Sequence, residues 1–217
     1  MKSPTSYRGK LVSQAGLTLA ELLVVLAISA VVAAMSVPSL SRTIENTKLK
    51  SAMQSLASLY QEARQRAAQD NTSYEVLVTP AGVSPAMACI DLDGDGQCGA
   101  GEPKSVFPQQ LRFNNNGLPL AMGQNQLGFV PVMVEGSQMF DLQNQLAPGL
   151  AWTARGIPCE RALSSTAACA PISGWVQYLQ FQRSGGDIGY AAVSVSPTGR
   201  IKSWTYITSG NGNAKWF

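Results

Sequence analysis

An apolar run from Leu17 to Val37 constrains this chain more than any other feature. Every residue in the run is apolar or small and neutral except Glu21, and the run is bounded by Gly16 and Pro38. About 20 such residues span the hydrocarbon core of a bilayer as a helix. The sequence therefore predicts a transmembrane helix over residues 17–38. Because a carboxylate in lipid costs about 2–3 kcal/mol or more, Glu21 needs a partner there and is a candidate functional residue.

A basic leader precedes the run. Residues 1–16 contain three cations and no acid, namely Lys2, Arg8 and Lys10. Because positively charged flanks stay on the cytoplasmic side, we expect a cytoplasmic N-terminus and residues 39–217 on the outer side. An ordinary signal peptide has a shorter apolar core of about 7–15 residues. A simple signal anchor would not explain the spacing of Gly16 and Glu21.

These residues resemble a class III (type IV) prepilin signal, with Gly16 before the run, Leu17 first in it, Glu21 fifth and Pro38 at its far end. The resemblance implies cleavage after Gly16 by a prepilin peptidase and N-methylation of Leu17. It also implies a single-pass protein of the bacterial inner membrane that then packs with other pilins or pseudopilins in a filament. In that family the counterpart of Glu21 pairs with the terminal amine of a neighbouring subunit. The first mature residue there is usually Phe, so Leu17 departs from the pattern.

The net charge of +3 belongs to the leader. Subtracting its three cations from 16 basic residues leaves 13, which equals the number of acids. A neutral mature chain gives no support for a nucleic-acid partner. The sequence contains no histidine, which excludes Ser-His-Asp and Cys-His catalysis and any His-ligated zinc site. We therefore predict that the protein is not an enzyme.

The helix is predicted to continue beyond the membrane as an amphipathic segment over residues 39–69. Apolar residues recur there at spacings of three to five and form one stripe: Ile44, Leu49, Met53, Leu56, Tyr60, Ala63 and Ala67. Pro38 lacks an N–H, so a kink or local loosening is expected where the helix leaves the membrane. Asp70-Asn71 is the predicted end of the helix.

Residues 73–217 are predicted to form β structure. The candidate strands are Tyr74–Thr79, Leu127–Val134, Val176–Gln182, Tyr190–Ser196 and Ile201–Thr208. The last two flank Pro197-Thr198-Gly199, a turn signature, and are predicted to form a hairpin. The Pro-, Gly- and Cys-rich segments Gly82–Pro108 and Ala147–Pro171 are expected to be irregular. The sequence thus predicts the α+β class, with a long N-terminal helix packed on an antiparallel β domain.

That order of elements fits the pilin fold, and the C-terminal hairpin SVSPTGRIKSWTY resembles the GspH/FimT class. The resemblance implies a minor pilin or pseudopilin. Such a subunit belongs to a type II secretion pseudopilus or a type IV pilus. The predicted organisation is a leader (1–16), a transmembrane and assembly helix (17–38) and an extracytoplasmic domain (39–217).

A loop rich in aspartate and glycine matches the spacing of an EF-hand. Asp91, Asp93 and Asp95 fall at loop positions 1, 3 and 5, and Glu102 falls at position 12. Gly96 at position 6 permits the sharp turn, and the backbone carbonyl of Gln97 can serve at position 7. The pattern predicts a structural Ca²⁺ site without the flanking helices. The alternative is a metal-free Asp/Gly surface turn.

All four cysteines lie beyond the apolar run, as expected in an oxidising compartment. Four cysteines allow three pairings. Local pairing of Cys89 with Cys98 and of Cys159 with Cys169 is favoured, because each pair lies in a loop-like stretch. A bridge across about ten residues stabilises a fold by about 2.5–3 kcal/mol on the chain-entropy model.

The hairpin turn Gly199-Arg200-Ile201-Lys202 resembles the Gly-Arg-x-Arg motif through which some members of the FimT group bind DNA in natural transformation. Arg200 and Lys202 are therefore candidate DNA-binding residues. Lysine at the second basic position lacks the bidentate geometry of arginine. The alternative is a plain turn in which Gly199 takes a positive φ and the cations face water.

Overall fold

A computed structural model of the chain describes residues 18–79, 83–113, 122, 127–128, 132–133, 150–160, 169–208 and 214–217. The chain divides between Arg42 and Thr43 into two compact units. The described elements are one helix, α1 (Leu19–Gln69), and the strands β1 (Tyr74–Val78), β2 (Met87–Asp91), β3 (Lys104–Val106), β4 (Leu111–Phe113), β5 (Val132–Met133), β6 (Ala151–Trp152), β7 (Pro158–Glu160), β8 (Ala170–Pro171), β9 (Trp175–Gln182), β10 (Ile188–Val195), β11 (Ile201–Thr208) and β12 (Ala214–Trp216).

The first unit holds the N-terminal part of α1. Its large apolar side chains between Leu19 and Val32 are all more than half exposed. Ser29 lies within this apolar surface, and its hydroxyl donates to the backbone carbonyl of Val25 at 2.8 Å. The polar atom is therefore satisfied within the helix.

Among the residues that the structure describes, no helix is both long enough and apolar enough to cross a membrane.

In the second unit, the distal part of α1 buries the predicted stripe. Six of its seven residues are at most 7 % exposed, whereas Ile44 is 46 % exposed. The stripe is thus confirmed from Leu49 onward. The helix ends as predicted: Asn71 takes a φ of +50°, and the Thr72 N–H donates to the Ala67 carbonyl at 3.1 Å. This is the left-handed cap that terminates many helices.

The described strands form two sheets. One has the order β3-β2-β1-β6-β7-β8, and the other has the order β12-β11-β10-β9-β4, with β5 also paired to β9. The recorded pairings are antiparallel except β5 with β9, which is parallel. The predicted hairpin is confirmed, with Val195 opposite Ile201.

The main core lies where the distal part of α1 meets both sheets. It joins Leu56 and Tyr60 of the helix to Val76 of the first sheet and to Trp175 and Leu179 of the second. A helix packed on largely antiparallel sheets confirms the α+β class and is consistent with the pilin fold. A smaller apolar cluster on the second sheet includes Met122, Val176, Tyr178, Ala192, Trp204 and Trp216.

Two predictions about irregular segments were wrong. Gly82–Pro108 contains β2 and β3, and Ala147–Pro171 contains β6, β7 and β8. These strands are two to five residues long, too short for an alternating pattern to be read. They are held by pairing with neighbouring strands and, for β6, with the distant strand β1. Of the predicted strand Leu127–Val134, the structure assigns Val132–Met133 to a strand, and residues 129–131 and 134 lie outside the description.

Candidate functional site

Glu21 lies in the first turn of α1, where it also affects how the helix begins. Thr18 precedes the helix, and its Oγ1 accepts a hydrogen bond from the Glu21 N–H at 3.2 Å. Thr18-Leu19-Ala20-Glu21 thus has the Thr-x-x-Glu spacing of a capping box. A carboxylate in the first turn also interacts favourably with the helix dipole. The recorded bond is made by the Glu21 backbone, and the Glu21 carboxylate stands at the position where a capping box places its acid.

The structure does not fully describe the other residues predicted to act in processing and assembly. Gly16 and Leu17 are not among the described residues, and neither is the leader that precedes them. At Pro38 the backbone is helical within α1, but its side chain is not described. The expected loosening of the helix at Pro38 stays a prediction.

Asp91 anchors the aspartate loop from the end of β2. Its side chain is buried, and its two oxygens accept hydrogen bonds from the backbone N–H groups of Gly94 (2.6 Å) and Gly96 (3.1 Å). Both glycines have positive φ, +78° and +73°, a conformation that glycine adopts at little cost. The turn predicted at Gly96 is therefore present, and it folds the chain back around the Asp91 carboxylate.

Asp93 and Asp95 make similar hydrogen bonds, each to the backbone N–H two residues further along the chain. Asp93 Oδ1 accepts from the Asp95 N–H at 3.2 Å, and Asp95 Oδ1 accepts from the Gln97 N–H at 2.7 Å. As a result, carboxylate oxygens of Asp91, Asp93 and Asp95 all lie within 4.8 Å of one another. Calcium–oxygen bonds of about 2.3–2.6 Å allow two ligand oxygens to be at most about 4.6–5.2 Å apart. The three aspartates therefore fit a common hard cation.

Glu102 closes the loop in a different way. Its Oε1 accepts from the Leu92 N–H at 2.7 Å, and its Oε2 accepts from the Gly99 N–H at 2.6 Å. Glu102 is not in the cluster formed by the three aspartates. The sequence spacing therefore brings together three of the predicted carboxylate ligands. Ligation by Glu102 and by the Gln97 carbonyl remains a prediction.

Burial raises the pKa of Asp91 above its usual value. Burial has the largest effect, the hydrogen bonds from Gly94 and Gly96 oppose it, and the nearby charges of Glu102 and Asp93 add to it. The loop therefore concentrates negative charge around a buried carboxyl group. A cation bound there would relieve both effects.

Two disulfides hold the loops on the first sheet. Cys89 of β2 is bonded to Cys98 in the aspartate loop, and Cys159 of β7 is bonded to Cys169 just before β8. These are the two local pairings favoured by the sequence. The first bridge ties the middle of the aspartate loop to a fully buried strand residue.

The structure places Arg200 and Lys202 in different surroundings. Arg200 follows Gly199, which has a φ of +81° as the plain-turn alternative expects, and it lines a cavity beside α1. Lys202 is not among the residues that line this cavity, and its Nζ lies 3.5 Å from the centroid of the Trp204 ring.

The sequence interpretation missed two groups that matter here. Thr18 could have been found from its Thr-x-x-Glu spacing to Glu21. Arg64 lies outside the predicted apolar stripe of α1, and its Nη1 donates to the Gly199 carbonyl at 3.0 Å. No local pattern indicates that contact, because the two residues are 135 positions apart.

One family model matches the chain. Residues 12–37 match the prokaryotic N-terminal methylation motif. No curated protein and no solved structure matches significantly. The match supports a type IV pilin-like protein, a subunit that is processed by a prepilin peptidase and assembles with other pilins.

Proposed function

We propose that this chain is a minor pilin or pseudopilin of the GspH/FimT type, a subunit of a type II secretion pseudopilus or a type IV pilus. The observation that carries the proposal is the methylation motif over residues 12–37. Cleavage falls after Gly16, and the new N-terminus at Leu17 is methylated. The subunit is held in the inner membrane before it enters the filament, with residues 39–217 on the periplasmic or extracellular side.

The exposed apolar surface of the first unit supports this proposal. Large side chains from Leu19 to Val32 are 52–78 % exposed in the single chain. Monomeric soluble proteins rarely expose so large a continuous apolar patch, which usually marks a membrane or protein contact. Lipid before assembly and the helices of neighbouring subunits afterwards would both cover it.

Glu21 selects the position of the incoming subunit by pairing with the terminal amine of its neighbour. Because Glu21 occupies the acidic position of a Thr-x-x-Glu capping sequence, the test must separate charge from capping. Glutamine can replace glutamate in a capping box, so Glu21→Gln removes the charge and keeps the cap. Glu21→Val removes both. Glu62→Gln is the matched control, since it neutralises an acid on the same helix whose partner is Arg66.

The measurement is the amount of each variant recovered in purified filaments, relative to the amount in the membrane. We expect Glu21→Gln and Glu21→Val to be depleted from filaments alike, and Glu62→Gln to enter as the parent does. If Glu21→Gln enters as efficiently as the parent while Glu21→Val does not, Glu21 acts as a helix cap and the pairing role is wrong.

We also propose that the aspartate loop binds Ca²⁺ as a structural ion. The convergence of Asp91, Asp93 and Asp95 within 4.8 Å supports this. An ion there would stabilise the displayed domain by mass action.

A DNA-binding minor pilin is the alternative function. It depends on Arg200 and Lys202 acting together, whereas one lines a cavity and the other lies on the Trp204 ring. The neutral charge of the mature chain also weighs against it. A gel shift with Arg200→Ala and Lys202→Ala tests this alternative, and absence of binding by the parent chain at low salt would end it.

A further inference from the structure

A cavity of about 580 Å³ lies beside the distal part of α1, between two hairpin turns. One turn, Thr153–Ile157, joins β6 to β7, and the other, Ser196–Arg200, joins β10 to β11. Three arginines line the cavity, one from each of these elements: Arg64, Arg155 and Arg200. The fold brings them together from positions far apart in the sequence, so no local sequence motif predicts the cluster.

Arg64 is held in place before any ligand arrives. Its guanidinium lies 5.6 Å from the centroid of the buried Trp152 ring, and its Nη1 donates to the Gly199 carbonyl at 3.0 Å. A Cβ atom added at Gly156 would lie 2.9 Å from Arg64 Nε, and one added at Gly199 would lie 3.2 Å from Arg64 Cζ. Both turns therefore close onto this side chain and fix its position.

The positive charge of the cavity has no acidic counterpart in the part of the chain that the structure describes. None of the described residues that line it is acidic, and the ion pair recorded among the described residues joins Arg66 to Glu62. Three guanidinium groups facing one cavity repel one another. Since guanidinium forms paired hydrogen bonds with carboxylate and phosphate oxygens, an oxyanion would offset that repulsion.

We propose that this cavity is a binding site for an oxyanion group, a phosphate or a carboxylate, contacted by Arg64, Arg155 and Arg200. A concave site suits a compact anionic group better than a nucleic-acid backbone, which needs a row of cations along its path. The site is independent of the assembly role of α1 and of the aspartate loop.

The test is isothermal titration calorimetry on the full chain in detergent at low ionic strength. The probes are inorganic phosphate, citrate and a short single-stranded oligonucleotide. Arg155→Ala and Arg200→Ala are the test variants, because both side chains are exposed and neither supports the core. Arg112→Ala is the matched control, since it removes an exposed cation from β4 that does not line the cavity.

We expect phosphate, citrate or both to bind the parent and Arg112→Ala equally. Binding should be about tenfold weaker in each test variant, the typical effect of losing one charge-assisted hydrogen bond. Binding of phosphate alone indicates a phosphate-bearing ligand, and binding of citrate alone indicates a carboxylate-bearing one.

Two results would overturn the proposal. One is that neither phosphate nor citrate binds the parent, or that Arg112→Ala weakens binding as much as the test variants do. The other is that the oligonucleotide alone binds, in a way that Arg200→Ala and Lys202→Ala abolish and Arg155→Ala does not affect. That second pattern belongs to the Gly-Arg-x-Lys motif and not to the cavity.

Discussion

At the scale of single residues, Gly199 occupies a tightly restricted position in the C-terminal hairpin. Its φ is +81°, and an added Cβ would lie 2.9 Å from the Gly156 carbonyl oxygen and 3.1 Å from Trp152 Cζ3. Gly199→Ala should therefore lower the free energy of unfolding by about 1–3 kcal/mol. Gly185→Ala is the control, because that position has nothing within 4 Å and no positive φ. Thermal unfolding measures both, and equal stability of the two variants would contradict the packing described.

The aspartate loop gives a prediction about calcium. Asp93→Asn removes one charge from the cluster without touching the core, since Asp93 is exposed. We expect calcium to raise the Tm of the parent relative to chelator, and Asp93→Asn to lose most of that increase. Asp187→Asn, which neutralises an exposed acid outside the loop, should keep the increase. A parent Tm that is the same in calcium and chelator would rule out the metal site.

Because the pKa of Asp91 is raised, the increase in Tm caused by calcium should depend on pH. Protonation of Asp91 competes with calcium, and burial raises its pKa above the usual 3.8. Without calcium, the contribution of Asp91 to stability is full below its unfolded pKa and is lost as the pH rises through the higher folded value. Calcium should reverse this trend. The difference in Tm between calcium and chelator should therefore grow from acidic to neutral pH, and a constant difference would contradict the prediction.

At the scale of elements, one turn design recurs in three hairpins. In Thr153–Ile157, Arg183–Asp187 and Ser196–Arg200, the first residue's N–H donates to the fifth residue's carbonyl, and the fourth residue is a glycine with φ between +69° and +87°. This is a common three-residue hairpin loop with glycine in the left-handed position. The sequence signalled the third turn through its proline and glycine. The first turn was missed, because its flanking strands are only two and three residues long.

The packing of α1 on the sheets can be tested at Tyr60. Its hydroxyl is fully buried and has no hydrogen-bond partner among the described residues. Burial raises the pKa of Tyr60 well above its usual range. Tyr60→Phe should therefore leave stability unchanged or raise it by about 1 kcal/mol. Leu56→Ala, one turn earlier in the same core, should cost about 2–5 kcal/mol.

The Tyr60 hydroxyl should also make the stability of the protein depend on pH in the alkaline range. Because its folded pKa lies above the unfolded value of 10.0, the contribution of Tyr60 to stability is full below about pH 10 and is lost as the pH rises further. Unfolding measured across that range should show a smaller alkaline loss in Tyr60→Phe than in the parent. An identical loss in both proteins would mean that the Tyr60 hydroxyl is accessible to solvent.

What the sequence could predict at this scale follows from the length of each element. The helical stripe and the eight-residue strands β9, β10 and β11 repeat their pattern often enough to be recognised. Strands β2, β3 and β6 to β8 depend on pairing with their partner strands, and disulfides add a further constraint at β2 and β7. In the candidate sites, Asp91, Asp93 and Asp95 were predictable because their spacing is local. The arginine cavity was not, because it unites three distant segments.

At the scale of the whole molecule, charge and apolar surface are separated along the chain. The leader carries the net charge of +3, and the following helical segment exposes its apolar side chains. The second unit has its own core and two disulfides, and its sequence contains as many basic as acidic residues. This division suits a subunit in which one part makes the assembly and the other is displayed by it.

The chain is proposed to be a pilin-type subunit that is matured at its N-terminus. The most direct measurement is mass spectrometry of the intact protein purified from cells that contain a prepilin peptidase. We predict a chain that begins at Leu17 and carries one methyl group on its terminal amine, and an uncleaved chain in cells that lack the peptidase. Retention of residues 1–16 in the presence of the peptidase, or cleavage at another bond, would contradict the claim.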